Sequence, residues 1–163
     1  MRVRARRGRF TLELTRDEAG LLSSLIRSLD ELVASPADAD RAVWDRLFPD
    51  AYPDDLQAQT EFAALTAPGL ADERRERLRR CYEELTAEAG LQGGAIDLTA
   101  AEDADRWLRV LNDLRLALGT RIGVTADPQP VTDPDPEDPE GQALVVYRYL
   151  TEVQDVIVAH VLG

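Results

Sequence analysis

Residues 2–18 read RVRARRGRFTLELTRDE, and within them the hydrophobic period changes from two to that of a helix. Val3 and Ala5 alternate with Arg2, Arg4 and Arg6; beyond Gly8, Phe10, Leu12 and Leu14 alternate with Thr11 and Glu13. Two alternating runs about a glycine predict a β-hairpin with an apolar face and an arginine face. A Gly8-Arg9 loop suits a turn that wants glycine first, and it sets Ala5 opposite Leu12 and Arg4 opposite Glu13. Thr15 and Glu18 follow at the spacing of a capping box, in which each side chain bonds the other residue's backbone amide at a helix start. The helix is predicted over residues 16–34, with Leu21, Leu22, Leu25, Ile26, Leu29, Leu32 and Val33 inward and Ser35-Pro36 as its stop.

Outward from this unit the same signals recur. DADRAVWDRLFPD offers a short helix with Val43, Trp44, Leu47 and Phe48 apolar, ended by Pro49. A third helix begins at an Asp54 or Asp55 cap, turns Leu56, Phe62 and Leu65 inward, and breaks at Pro68-Gly69. A fourth, over residues 70–89, is dense in Arg and Glu apart from Leu78, Cys81, Tyr82 and Leu85, and Gly90 ends it. Residues 95–98 repeat the opening pattern as a small strand able to join the hairpin, with Thr99 and Glu102 as a second capping box. In the helix that follows, Trp107, Leu111, Leu114 and Leu118 share one face, and Gly119 is placed to close it. Asn112, Asp113 and Arg115 run polar through its middle. Residues 123–140 hold five prolines and six acids without a base, the composition of a solvated loop. A last helix, residues 141–162, is apolar around most of its circumference.

The expected fold is mainly α: one domain, a bundle of about six helices with a small N-terminal β-hairpin (residues 1–14) that a third strand can extend. The helical body spans residues 15–122. With 163 residues, 44% hydrophobic and 31% charged, the chain is long enough for one core. All 19 basic residues are arginine, set against 31 acids for a net charge of −12. Five of those arginines fall in the first nine residues with no acid, leaving 14 bases against 31 acids, a net −17, in the remainder. Such a body opposes a polyanion everywhere except at the hairpin. One cysteine excludes an intramolecular disulfide and points to the cytoplasm, and no apolar run approaches the length of a membrane span.

Motifs that carry chemistry are sparse. His160 lies near the end of an apolar helix with no second nitrogen or sulfur ligand beside it, so a structural role is expected and no metal or cofactor is. Gly93-Gly94 lacks the lysine and spacing of a phosphate loop. Cys81 has two readings, a buried small hydrophobe in row with Leu78 and Leu85, or a redox thiol activated by Arg77 and Arg80. Arg2, Arg4, Arg6 and Arg9 also have two, a phosphate-binding edge whose affinity falls with salt, or a solvated face balanced by the acidic body. Asp113 is expected to pair with Arg109 one turn earlier. Asn112 and Arg115 form either a polar anchor for a neighbouring element or, with Asp113, a partner-binding edge. Val145, Val146, Tyr149, Leu150, Val153, Val156, Ile157 and Val161 either run through the core or in part meet a second copy, as a homodimer.

WLRVLNDLRLALGTRIGVT (residues 107–125) resembles the signature of an actinobacterial domain-of-unknown-function family, one branch of which is an oxidative stress transcriptional regulator. RRGRFTLELTRDEAGLLSSL (6–25), RLFPDAYPDD (46–55) and YRYLTEVQDVIVAHVL (147–162) are similar to further segments of that family. The resemblance implies a small intracellular helical protein, not an enzyme, and for the named branch a redox-responsive regulator acting with transcription machinery. That redox response implies a cysteine pair, of which this chain offers only Cys81. The expectation is therefore a non-enzymatic regulatory or interaction protein that binds a protein partner and, weakly, DNA. Its rivals are a carboxylate-based hydrolase or transferase and a purely structural adaptor.

Overall fold

The alternating N-terminus forms the expected hairpin, β1 (Arg2–Arg6) antiparallel to β2 (Arg9–Leu14). β3 (Gly94–Asp97) adds to β2, giving an antiparallel sheet in the order β1-β2-β3. The computed structural model describes residues 1–6, 9–50, 54–88, 93–124, 135 and 138–162. The expected turn at Gly8, the inward Leu56, Phe62 and Leu65 side chains, the stop at Gly90 and nearly all of the acidic proline-rich loop lie outside the described residues. The side chains of Arg6 and Arg9 do too.

The hairpin register differs from the expected one by two residues: Ala5 faces Phe10 and Arg4 faces Thr11. A two-residue shift leaves every side chain on its own face, so face patterning alone does not choose between the registers. Arg4 still reaches Glu13, diagonally, at 2.8 Å. Phe10, Leu12 and Leu14 are buried, and Ile96 and Leu98 join them from β3.

Five α-helices are found among the described residues. α1 (Arg16–Ala34) starts at the expected capping box: Glu18 N donates to Thr15 Oγ1 at 3.3 Å, and Thr15 N donates to Glu18 Oε2 at 2.8 Å. Its buried row is Ala19, Leu22, Ile26, Leu29, Leu32 and Val33. A short 3-10 turn (Asp38–Asp40) leads into α2 (Arg41–Leu47), which buries Val43 and Leu47. α3 (Leu56–Glu88) is one helix of 33 residues, not two, because it continues through Pro68-Gly69. Proline's fixed φ is itself helical, so its cost is one lost backbone bond and a ring clash, ~3 kcal/mol. The rest of the helix is held against its neighbours by buried Leu78, Cys81 and Leu85.

α4 (Ala101–Arg121) occupies the centre and touches α1, α2, α3 and α5. The second capping box does not form. Ala100 is the N-cap, and the Thr99 hydroxyl is committed instead to the Asp97 carboxylate and to the Phe10 amide, at 3.3 Å from the latter. Gly119 does not close α4 either. It stays helical and buried, where a Cβ would stand 3.2 Å from the Tyr147 ring, and it lets α5 approach closely. Gly123, at φ +67°, takes the left-handed position, with Gly123 N donating to Thr120 O and Val124 N to Gly119 O.

α5 (Pro139–Leu162) has proline at its first position, and Gly141 N donates to the Asp138 carboxylate. Leu150, Val153 and Ile157 are buried by the chain's own core, Val146, Tyr149 and Val156 are half-buried, and Val145 and Val161 are exposed. The two exposed valines are sixteen residues apart, roughly 160° around the helix, and do not form one patch. Among the described residues no helix is long and apolar enough to cross a membrane.

Candidate functional site

The polar residues within α4 are placed by contacts distant in sequence. Asp113, only 4% exposed, accepts two bonds from the Arg74 guanidinium, 2.8 Å from Nε and 3.2 Å from Nη2. Arg74 also donates to Leu47 O at 3.1 Å and lies over the Phe48 ring at 4.6 Å. One guanidinium thus ties α3 to α4 and to the end of α2. The expected Asp113–Arg109 contact does not form: Arg109 bonds to Asp105, at 2.7 Å, on the exposed side of the helix, and feels Asp113 only as a more distant charge.

Arg115 leaves the other flank of α4, donating to Gln154 Oε1 at 2.6 Å and to the Tyr147 hydroxyl at 3.3 Å, with its guanidinium over the Tyr147 ring. It anchors α5, which is the bracing alternative for this residue. Asn112 is exposed.

Cys81 is fully buried. Burial is the main cause that pushes its thiol up to about 12, reinforced by the Glu84 charge and partly offset by Arg106. Of the arginines expected to activate it, Arg80 turns outward to Glu76 at 2.8 Å. The arginine beside the thiol is Arg106 of α4, which pairs with Glu84 and, at 2.8 Å, with Asp103. Glu84 also accepts from Trp107 Nε1 at 2.8 Å. These contacts describe a packed seam between α3 and α4. A thiol in that state has little thiolate and is a poor nucleophile.

His160, at the far end of α5, stacks on Phe10 of β2 with ring centroids 3.6 Å apart and so pins the helix end to the sheet. Among the described residues no three His, Cys, Asp or Glu side chains form a group able to hold a metal ion.

Among the described residues, the arginine face of the hairpin and a cleft between two helices are open to solvent. On the hairpin, Arg2 is exposed and the Arg4 side chain is 69% exposed, beside Val3. Between α1 and α3 lies a cleft of about 440 Å³, floored by Ile26, Leu78 and Tyr82 and rimmed by Arg27, Arg75 and Arg79 with Asp30, Asp72 and Glu76. No local motif marks the cleft, because its residues lie some fifty positions apart. Asp30 and Glu76 are engaged, Asp30 with Arg75 at 2.8 Å and Glu76 with Arg79 and Arg80. Hydrogen bonds from those two arginines, Arg79 foremost, hold the Glu76 carboxyl below the usual range, which suits an ion pair and not a proton donor.

A small antiparallel N-terminal sheet packed on a helical bundle places the chain among mainly α proteins. The chain belongs to the family described as Domain of unknown function (DUF2017), whose model matches residues 1–161. It is similar to the oxidative stress regulator AosR of Mycobacterium bovis and to that of Mycobacterium tuberculosis. Each is 28% identical over 196 aligned positions, covering 99% of this chain and 87% of the relative. A Mycobacterium leprae protein is 31% identical over 131 positions, 69% of this chain and 55% of that one. No solved structure matches the chain.

Proposed function

We propose that the protein is a non-enzymatic oxidative stress regulator that acts in the cytoplasm by contacting a protein of the transcription machinery. The observation that carries this is the similarity to proteins named oxidative stress regulators over 99% of the chain. The exposed Arg2 and Arg4 on an otherwise acidic molecule support a charged contact surface at the hairpin. Oxidant sensing through Cys81 requires the α3–α4 seam to open first, since the folded thiol is buried and protonated. DNA contact, on this reading, is weak and carried by Arg2, Arg4 and Arg6.

The test is purification of tagged protein from its native cell before and after peroxide, with bound proteins identified by mass spectrometry. RNA polymerase subunits or sigma factors are expected among them, and deletion of the gene is expected to alter the peroxide-induced transcripts. Absence of both polymerase and sigma factors, with an unchanged transcript response, refutes the regulator reading. Binding to duplex DNA that survives Arg2→Ser, Arg4→Ser and Arg6→Ser together refutes the hairpin as its carrier.

A further inference from the structure

We propose that the outer edge of β1 is a docking strand for an extended acidic segment of a protein partner, which joins the sheet as a fourth strand. This rests on the partner-binding reading above and names the chemistry of the partner.

The sheet order places β1 at an edge. Which backbone groups point outward follows from Phe10. Its N–H donates to Thr99 Oγ1 and its carbonyl accepts from Leu98 N at 2.8 Å, so both its main-chain groups face β3. Ala5 is opposite Phe10 and therefore belongs to a non-hydrogen-bonded pair, whose own N–H and C=O point away from β2. Val3, opposite Leu12, repeats this two residues earlier. Among the described residues neither Val3 nor Ala5 makes a backbone bond outside the β1–β2 ladder. The edge thus offers two donors and two acceptors in strand register, the pattern that strand addition uses. Arg2 and Arg4 alternate with them along β1, on the opposite face from Val3.

Charge selects the occupant. Two copies joined edge to edge would set arginine against arginine at cross-strand distance, which is destabilising. A strand with acids at alternate positions sets each one beside an arginine. The exposed Arg4–Glu13 pair is no obstacle, since such pairs contribute little. A phosphate backbone uses only the two N–H groups, having no donors to give the carbonyls, and as a long polyanion it is opposed by the −17 of the remaining chain.

The probe is a fluorescein-labelled octapeptide of alternating glutamate and valine with blocked ends, titrated into the full chain by anisotropy. Saturable binding is expected. It should weaken at least tenfold for a peptide N-methylated at the alternate residues whose amides face the edge, for a serine-for-glutamate peptide, and for the Arg2→Ser/Arg4→Ser variant. Two methylated peptides, one in each phase, cover both registers. No binding at millimolar peptide overturns the proposal. So does equal binding of both methylated peptides, which would mean charge alone, or tighter binding of a DNA duplex than of the peptide. Polymerase co-purification reads the regulator role separately, so its survival alongside a failed peptide titration overturns the edge alone.

Discussion

Replacing Asp113 by alanine breaks the most deeply buried ion pair among the described residues. The wild-type carboxylate is 4% exposed and meets Arg74 through two bonds, and the Arg74 side chain is itself only 15% exposed. Removing one partner of such a pair costs about 3–5 kcal/mol, because the other charge stays buried without compensation. Arg74 keeps its bond to Leu47 O and its place over Phe48, which puts the expected loss at the low end, ~3 kcal/mol. Native domains hold only about 5–15 kcal/mol in total, and for a chain of this size ~1 kcal/mol moves Tm by roughly 2–4 °C. Urea unfolding followed by far-UV circular dichroism should therefore show a markedly lower midpoint at an unchanged slope, and Tm should fall by roughly 6–12 °C. Arg74→Met with Asp113→Leu should recover most of the loss, as a buried pair replaced by apolar groups commonly does. Exposed Asn112→Ala should stay within ~0.5 kcal/mol of wild type. A loss below ~1 kcal/mol for Asp113→Ala would show that the pair is not what joins α2, α3 and α4.

Cys81 should react with a thiol reagent at mildly alkaline pH only after unfolding, and prompt labelling of the native protein would contradict its burial. Because its folded pKa of about 12 lies above the ordinary 9.0, its contribution to stability is full below pH 9 and declines as pH rises through that interval. Cys81→Ala should flatten this part of the stability–pH curve. Glu18 has the opposite sign. Burial acts against its charge, but bonds from the chain-terminal ammonium of Met1 and from Thr15 leave its carboxyl below 4.5. Its contribution is present above pH 4.5 and lost as pH falls through the folded value; Glu18→Gln should remove that acid limb, and Thr15→Ala should cost ~1 kcal/mol. Gly119→Ala forces the Tyr147 ring to move by a few tenths of an ångström; overpacking, ~1–3 kcal/mol, then offsets the ~1 kcal/mol gained from helix propensity. A clear rise in Tm for this variant would mean that α5 yields freely at Tyr147.

Local patterning carried the elements well. The change of period near Thr15 gives the hairpin and the start of α1, Ser35-Pro36 gives its end, and residues 95–98 read as a strand able to join the hairpin, because caps and alternation act over a few residues. What escaped it lies at long range or depends on competition for a group. Thr99 has the spacing of a cap, yet its hydroxyl is held by Asp97 and Phe10, and nothing within four residues shows that Phe10 will be there. Asp113 has Arg109 one turn away, and only the packing of α3 supplies Arg74, 39 residues earlier. Pro68-Gly69 reads as a stop, but a helix already held by tertiary contacts tolerates the lost backbone bond. The cleft between α1 and α3 left no trace, since its lining comes from two helices whose approach no local rule describes.

The polar interruption of α4 follows from where that helix sits. A helix packed on one side needs one apolar stripe, whereas α4 has α2 and α3 on one flank and α5 on the other. Asp113 and Arg115 are two residues apart, about 200° around the helix, so they leave it in nearly opposite directions. Each finds a complementary group on a different neighbour: Arg74 of α3 for the acid, and Gln154 with Tyr147 of α5 for the base. Hydrophobic packing is tolerant of small slides along a helix axis, but a two-bond guanidinium–carboxylate contact is not. The pair therefore sets the axial position of α4 against both flanks. Asn112, between them on the exposed side, is the only one of the three left facing solvent. A segment that aligns three layers at once is constrained at closely spaced positions, which accounts for a fold-bracing stretch reading like a functional motif.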